Sequence, residues 1–128
     1  MLSKRLSPYL EKLSVTCPAI YKQFVPSLQE GHDEELTVDD PLLEEEHTVV
    51  RGLVHKYGNR ALLLLTMNCA AYCRFCTRRR KVSDIKKGII THHDLDKMVA
   101  YLKKHPEIKE LILSGGDPLT QPVILKKA

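Results

Sequence analysis

Cys69, Cys73 and Cys76 stand within eight residues in the order C-x3-C-x2-C, directly after an apolar run at residues 61–66. Three thiolates so spaced can hold three corners of a cubane iron–sulfur cluster. The loop supplies no fourth cysteine, so one iron stays open to an outside ligand. Such a cluster can do chemistry as well as carry electrons. A zinc ion completed by a nearby histidine is the competing use of these thiols, and unpaired buried thiols are the plain structural one. Zinc sites favour paired C-x2-C units, with a second pair roughly 12–20 residues away. No second pair is present, and His92 and His93 fall at the start of a helical stretch. Cys17, beside Pro18, is far off and reads as a structural thiol.

A strand end must present these cysteines. Residues 61–66, short and apolar with polar bounds, read as a buried parallel strand. Thr91 reads as a helix N-cap with Asp94 at the capping-box position. Leu95, Met98, Val99 and Leu102 follow at i, i+3, i+4 and i+7, one helical face, and His105-Pro106 ends the helix. Residues 110–114 read as a second strand, closed by the glycine-rich Gly115-Gly116-Asp117-Pro118, and residues 121–128 open a further helix. The order strand, loop, helix, strand, loop is one βαβ unit with its chemistry at the C-terminal strand ends, where parallel α/β barrels place theirs.

The expected fold class is therefore α/β: the start of a partial TIM-type (β/α) barrel, preceded by a helical N-terminal region. Residues 1–28 read as helical pieces broken by Pro8, Pro18 and Pro26, Asp40-Pro41 as a turn, and residues 48–57 as a mixed approach segment. The division expected is 1–48, helical and acidic, and 49–128, the incomplete barrel portion. A full barrel takes eight strands and roughly 200 or more residues, so 128 residues read as the front part of a longer enzyme, truncated or a fragment. Such a piece would expose strand edges and apolar surface, and poor stability is expected of it.

Composition sets outer bounds. With 43% hydrophobic and 28% charged residues, the chain has the make-up of an ordinary globular protein. No segment reaches the roughly 18 apolar residues of a membrane span, and the N-terminus lacks an apolar run of signal-peptide length. A cytoplasmic, reducing location is the expectation, in keeping with clustered cysteines. The net charge of +4 hides an asymmetry: residues 30–46 hold Glu30, Asp33, Glu34, Glu35, Asp39, Asp40, Glu44, Glu45 and Glu46 and no Lys or Arg. That segment reads as a solvated acidic stretch or as a docking surface for a partner. The basic run at residues 78–81 raises nucleic-acid binding, which calls for interleaved aromatics; these are 5% of the chain and Trp is absent, so no nucleic-acid partner is expected.

Several blocks together carry a resemblance. Asp40-Pro41-Leu42, the stretch at 50–60, the run at 61–66, the cysteine loop with residues 76–80, and the block at 113–119 resemble, in order and spacing, the lysine 2,3-aminomutase family of radical S-adenosylmethionine (radical SAM) enzymes. The resemblance runs from about residue 40 to the end. It implies a [4Fe–4S] cluster on Cys69, Cys73 and Cys76 that chelates S-adenosylmethionine at its open iron. One-electron cleavage then yields a deoxyadenosyl radical, which starts the 2,3-amino migration in L-lysine held by pyridoxal phosphate and gives β-lysine. By the same resemblance Gly115, Gly116 and Asp117 receive the methionine moiety, although a plain turn after a strand would also account for them. Phe75 lies near adenine, or packs; Tyr57 and Arg60 hold the cofactor phosphate; Arg78 pairs with the substrate carboxylate.

The lysine that binds pyridoxal phosphate lies beyond Ala128 in this family, as do the acidic residues that recognise the substrate ammonium, so the isolated chain is expected not to turn over lysine. The resemblance further implies an electron donor such as flavodoxin or ferredoxin, no membrane, and room for an oligomer of the full-length protein. Residues 45–50 and 55–64 look closer to the relatives that serve elongation factor P, and residues 76–80 to those acting on free lysine. A non-catalytic iron–sulfur or zinc protein is the reading from another class, and it gives the glycine loop no use.

Overall fold

A computed structural model describes residues 3–31, 38–82, 84, 86, 88 and 90–128. Two short helices come first, α1 (Pro8–Thr16) and α2 (Pro18–Phe24). Pro8 and Pro18 start these helices rather than break them, because each takes the first helical position, where the missing N–H has no partner to lose. Ser7 caps α1 by accepting from the Leu10 N–H at 3.3 Å. Asp40-Pro41 makes the expected turn, with the Leu43 N–H donating to the Asp40 carbonyl.

The segment expected to be a mixed approach is instead two strands. β1 (Thr48–Val50) and β2 (Leu53–Tyr57) pair antiparallel, and β2 pairs antiparallel with β3 (Arg60–Thr66) across the two-residue turn Gly58-Asn59. The signal for that hairpin was present as a Gly-Asn pair between apolar runs. β1 spans three residues, too few for alternation to show. α3 (Arg79–Val82) follows the cysteine loop, α4 (His92–Lys104) crosses over, and β4 (Glu110–Gly115) pairs parallel to β3. The sheet order is β1-β2-β3-β4, and α5 (Pro122–Leu125) closes the chain.

Side chains alternate across β3, which makes it the centre of two apolar layers. Ala61, Leu63 and Leu65 join Leu53, Ile90 and Met98 under α4. Leu64 joins Val54, Met67, Tyr72 and Val82 on the opposite face, with Leu62, Cys69 and Cys76 packed against them. The cysteine loop is thus anchored by the second layer. One expectation needs amendment. Val99 is 49% exposed, because α4 turns Leu95, Met98 and Tyr101 to the sheet instead. β4 is an outer strand whose Leu111, Ile112 and Leu113 are each at least 40% exposed. Among the described residues no helix is long and apolar enough to cross a membrane.

The cap on α4 is as expected: the Thr91 hydroxyl accepts from the Asp94 N–H, and the Asp94 carboxylate accepts from the Thr91 N–H at 2.9 Å. That N–H, then the Thr91 hydroxyl, holds the Asp94 carboxyl below its ordinary range. A depressed carboxyl contributes stability above its unfolded pKa and loses it as pH falls through the folded value. We predict that Asp94→Asn lowers stability by about 1 kcal/mol at neutral pH. The gap to wild type should shrink as acid passes below the ordinary carboxylate range, read from urea midpoints across pH; a gap independent of pH would refute this account.

Candidate active site

The cysteine loop leaves the C-terminal end of β3 through a bend. The Asn68 N–H donates to the Thr66 hydroxyl at 3.0 Å, and Met67 turns into the second apolar layer. Cys69 Sγ donates to the Ala71 carbonyl at 2.9 Å, and the Cys76 N–H donates to the Cys73 carbonyl at 3.1 Å, which closes the C-x2-C turn. All four cysteines are free, and the three in the loop are half-buried. Burial, and then the neighbouring Cys69 and Cys76, push the Cys73 thiol up. A Cys73 thiolate, formed against burial and beside two more thiols, would call for a bound cation to offset its charge. Among the described residues no set of three His, Cys, Asp or Glu converges on a single metal ion. Phe75, between the last two cysteines, is 68% exposed and free to meet a ligand.

Residues that sequence reasoning passed over hold this loop from outside. The Tyr72 N–H donates to the Arg5 carbonyl and the Arg74 N–H to the Gln23 carbonyl, at 2.9 and 2.8 Å. Arg5 Nη2 reaches Asn68 Oδ1 at 3.1 Å, and its guanidinium lies over the Tyr72 ring. Arg74, its side chain only 7% exposed, binds both oxygens of Glu30. That hydrogen-bonded guanidinium holds the Glu30 carboxyl below its ordinary range. The Tyr72 hydroxyl donates to the Val82 carbonyl at 2.9 Å and closes the loop from within.

The glycine loop lies alongside. The Gly116 N–H donates to the Thr66 carbonyl and the Asp117 N–H to the Asn68 carbonyl, both at 2.7 Å. These bonds continue the β3–β4 ladder past its end, to the residue before Cys69. Gly115 sits at φ +138°, and a Cβ there would meet the Thr66 carbonyl oxygen; at Gly116 it would meet the carbonyl of Asn68. Only glycine permits that approach. Asp117 Oδ1 accepts from the Leu119 N–H at 3.0 Å.

Tyr57, Arg60 and Arg78 meet elsewhere, in a cleft of about 230 Å³ that Lys56 and Glu44 also line. Arg60 lies 3.5 Å from Glu110. Arg78 joins this cleft to the glycine loop, donating through Nη1 to Ser114 Oγ and to the Gly115 carbonyl, each at 3.2 Å. A larger cavity, about 440 Å³, between Arg51, Met67 and Lys81 contains none of the residues expected to act.

The charge asymmetry resolves within the chain. Glu44 pairs with Arg78 at 2.6 Å, and Arg80 pairs with Asp40 at 2.9 Å and Glu45 at 3.1 Å. Asp40, Glu44 and Glu45 fold onto the basic run at 78–81, while Asp39, Glu45 and Glu46 stay exposed to solvent. Asp33, Glu34 and Glu35 lie outside the described residues.

Comparison with known proteins identifies the family. The model of the radical SAM superfamily matches residues 63–128, from β3 to the last residue. The chain is similar to an L-lysine 2,3-aminomutase of Methanococcus maripaludis, 44% identical over 100 residues, which are 78% of this chain and 23% of that protein. It is similar to the Bacillus subtilis L-lysine 2,3-aminomutase, 40% identical over 118 residues, covering 89% and 25%. It is also similar to that of Escherichia coli, 49% identical over 80 residues, covering 62% and 22%. The chain spans about a quarter of the length of these relatives. With its three-cysteine loop and glycine loop side by side at the ends of two parallel strands, the chain belongs to the radical SAM superfamily.

Proposed function

We propose that this chain holds a [4Fe–4S] cluster and S-adenosylmethionine for a lysine 2,3-aminomutase. The observation that carries the reading is the ladder that sets residues 115–117 against residues 66–68, one position short of Cys69. The residues fit the group. Three free thiols share one half-buried loop, and a cluster takes each thiolate on a different iron, so the sulfurs need not converge on one point. The glycines let the loop lie against the Thr66 and Asn68 carbonyls, where a Cβ would clash, and so bring it beside the cysteine loop. Bound there, the cluster and S-adenosylmethionine supply a one-electron cleavage that begins radical chemistry.

The protein's own groups have separate tasks. Cys69, Cys73 and Cys76 are the iron ligands. Gly115 and Gly116 leave backbone open to the methionine moiety, and Asp117, with one oxygen engaged by Leu119, keeps the other to accept from its ammonium. Phe75 offers an exposed ring to adenine. Tyr57 and Arg60, with Lys56 beside them in the cleft, are the groups for the phosphate of pyridoxal phosphate. Arg78 faces the same cleft and is assigned to the carboxylate of L-lysine. Residues 1–48 brace the loop carried by residues 49–128, through Arg5, Gln23 and Glu30. A reducing, cytoplasmic setting and a one-electron donor such as flavodoxin or ferredoxin complete the proposal.

The test is anaerobic iron–sulfur reconstitution followed by electron paramagnetic resonance of the reduced chain. A [4Fe–4S] signal that changes on adding S-adenosylmethionine is expected, and Cys73→Ala should abolish it. Stoichiometric zinc in place of iron would overturn the assignment. Gly116→Ala should keep the iron and lose the response to S-adenosylmethionine, because its Cβ meets the Asn68 carbonyl. Glu30→Gln, which leaves Arg74 half-paired, should cost roughly 1–3 kcal/mol and hasten cluster loss in air. Unchanged cluster lifetime in that variant would show that the N-terminal brace is dispensable.

A further inference from the structure

Arg78 is held on nearly every side. Its Nε and Nη2 reach Glu44 Oε1 at 2.7 and 2.6 Å, while Nη1 reaches Ser114 Oγ and the Gly115 carbonyl. A guanidinium has five N–H donors; with four so directed, one on Nη2 is left for a ligand. The acceptor that sets this orientation is buried: the Glu44 side chain is 3% exposed against 16% for Arg78. The approach to Glu44 is itself constrained. Leu43, just before it, takes the left-handed conformation at φ +54°, unfavourable for a side chain with a Cβ. The Thr48 hydroxyl, at the start of β1, donates to the Glu44 carbonyl at 2.5 Å. The Lys81 ammonium, 3.7 Å from Glu44 Oε2, leaves the group Glu44, Arg78 and Lys81 with one net positive charge.

We propose that Glu44 is a positioning residue: it fixes the Arg78 guanidinium, and through it the Gly115 carbonyl, so that the cluster loop and the glycine loop keep one geometry. Arg78 lies two residues after Cys76, and Gly115 opens the loop that ends at Asp117, so the three-part contact ties both loops to residue 44. A carboxylate suits this task because its charge strengthens both bonds that Oε1 accepts from the guanidinium, while Oε2 faces Lys81. Glutamine in its place keeps the Oε1 acceptor but carries no charge and sets an amide donor beside the Lys81 ammonium. This inference rests on the reading of residues 115–117 as the seat of S-adenosylmethionine.

The experiment compares wild type, Glu44→Gln and Glu44→Asp in the whole chain, reconstituted anaerobically. It reads iron content, the resonance signal with and without S-adenosylmethionine, and the dissociation constant of that ligand. Glu44→Gln is expected to hold iron as wild type does, since the cysteines are untouched, but to bind S-adenosylmethionine roughly 10-fold more weakly with a smaller change in the signal. Glu44→Asp should recover part of the loss. Should Glu44→Gln not fold, Ser114→Ala decides, since it removes only a hydroxyl to which Arg78 donates. A severalfold weaker affinity at full iron content supports the proposal, and wild-type affinity overturns it. A wild-type response matched by Glu44→Gln overturns this inference alone. A wild-type chain that holds iron but ignores S-adenosylmethionine overturns the functional reading, and this inference with it.

Discussion

Two backbone hydrogen bonds beyond the ends of β3 and β4, from the Gly116 and Asp117 N–H groups to the Thr66 and Asn68 carbonyls, set the geometry from which the site follows. Strands in a parallel pair must stop somewhere, and their last peptide groups then need other partners. Here the ladder continues through two glycines, because a side chain at either position would strike the facing carbonyl. The glycine loop therefore stays in contact with the first residues of the cysteine loop. The alternating apolar layers on β3 make this junction firm: Leu64 and Met67 hold one face with Tyr72, and Leu63 and Leu65 hold the other under α4.

Around that junction the chain places charge where it is poorly solvated. Arg74 with Glu30 and Arg78 with Glu44 are ion pairs with one or both partners buried. Such pairs add little net stability compared with apolar packing, yet losing one partner is costly because the other is left stranded. Their value here is geometric. Arg74 pins the cysteine loop to the turn after α2, and Arg78 pins that loop to the end of β4. Each arginine flanks a cysteine, Arg74 next to Cys73 and Arg78 two positions after Cys76, so each constraint acts on the cysteine loop at short range.

Local features were legible before any coordinates. β3, β4, α4 with its Thr91–Asp94 cap, and the turn at Asp40-Pro41 depend on periodicity and capping within about one or two helical turns of chain. The same holds for the cysteine spacing and for the glycines after β4. The β1–β2 hairpin was missed because three residues cannot display a period, and Val99 was placed on the buried face because spacing alone does not say where a helix tilts against its sheet.

By itself, then, the sequence determined which chemistry is available: three thiols after one strand, a glycine loop after the next, and a helix between them. Only the tertiary structure decided which charges meet. Glu44 finds Arg78 across 34 residues, and Glu30 finds Arg74 across 44. Several carboxylates and several guanidiniums of equal chemistry were open to each other in the sequence. The choice among them follows from where the β3–β4 ladder and the two apolar layers bring the backbone, and no local pattern carries that information.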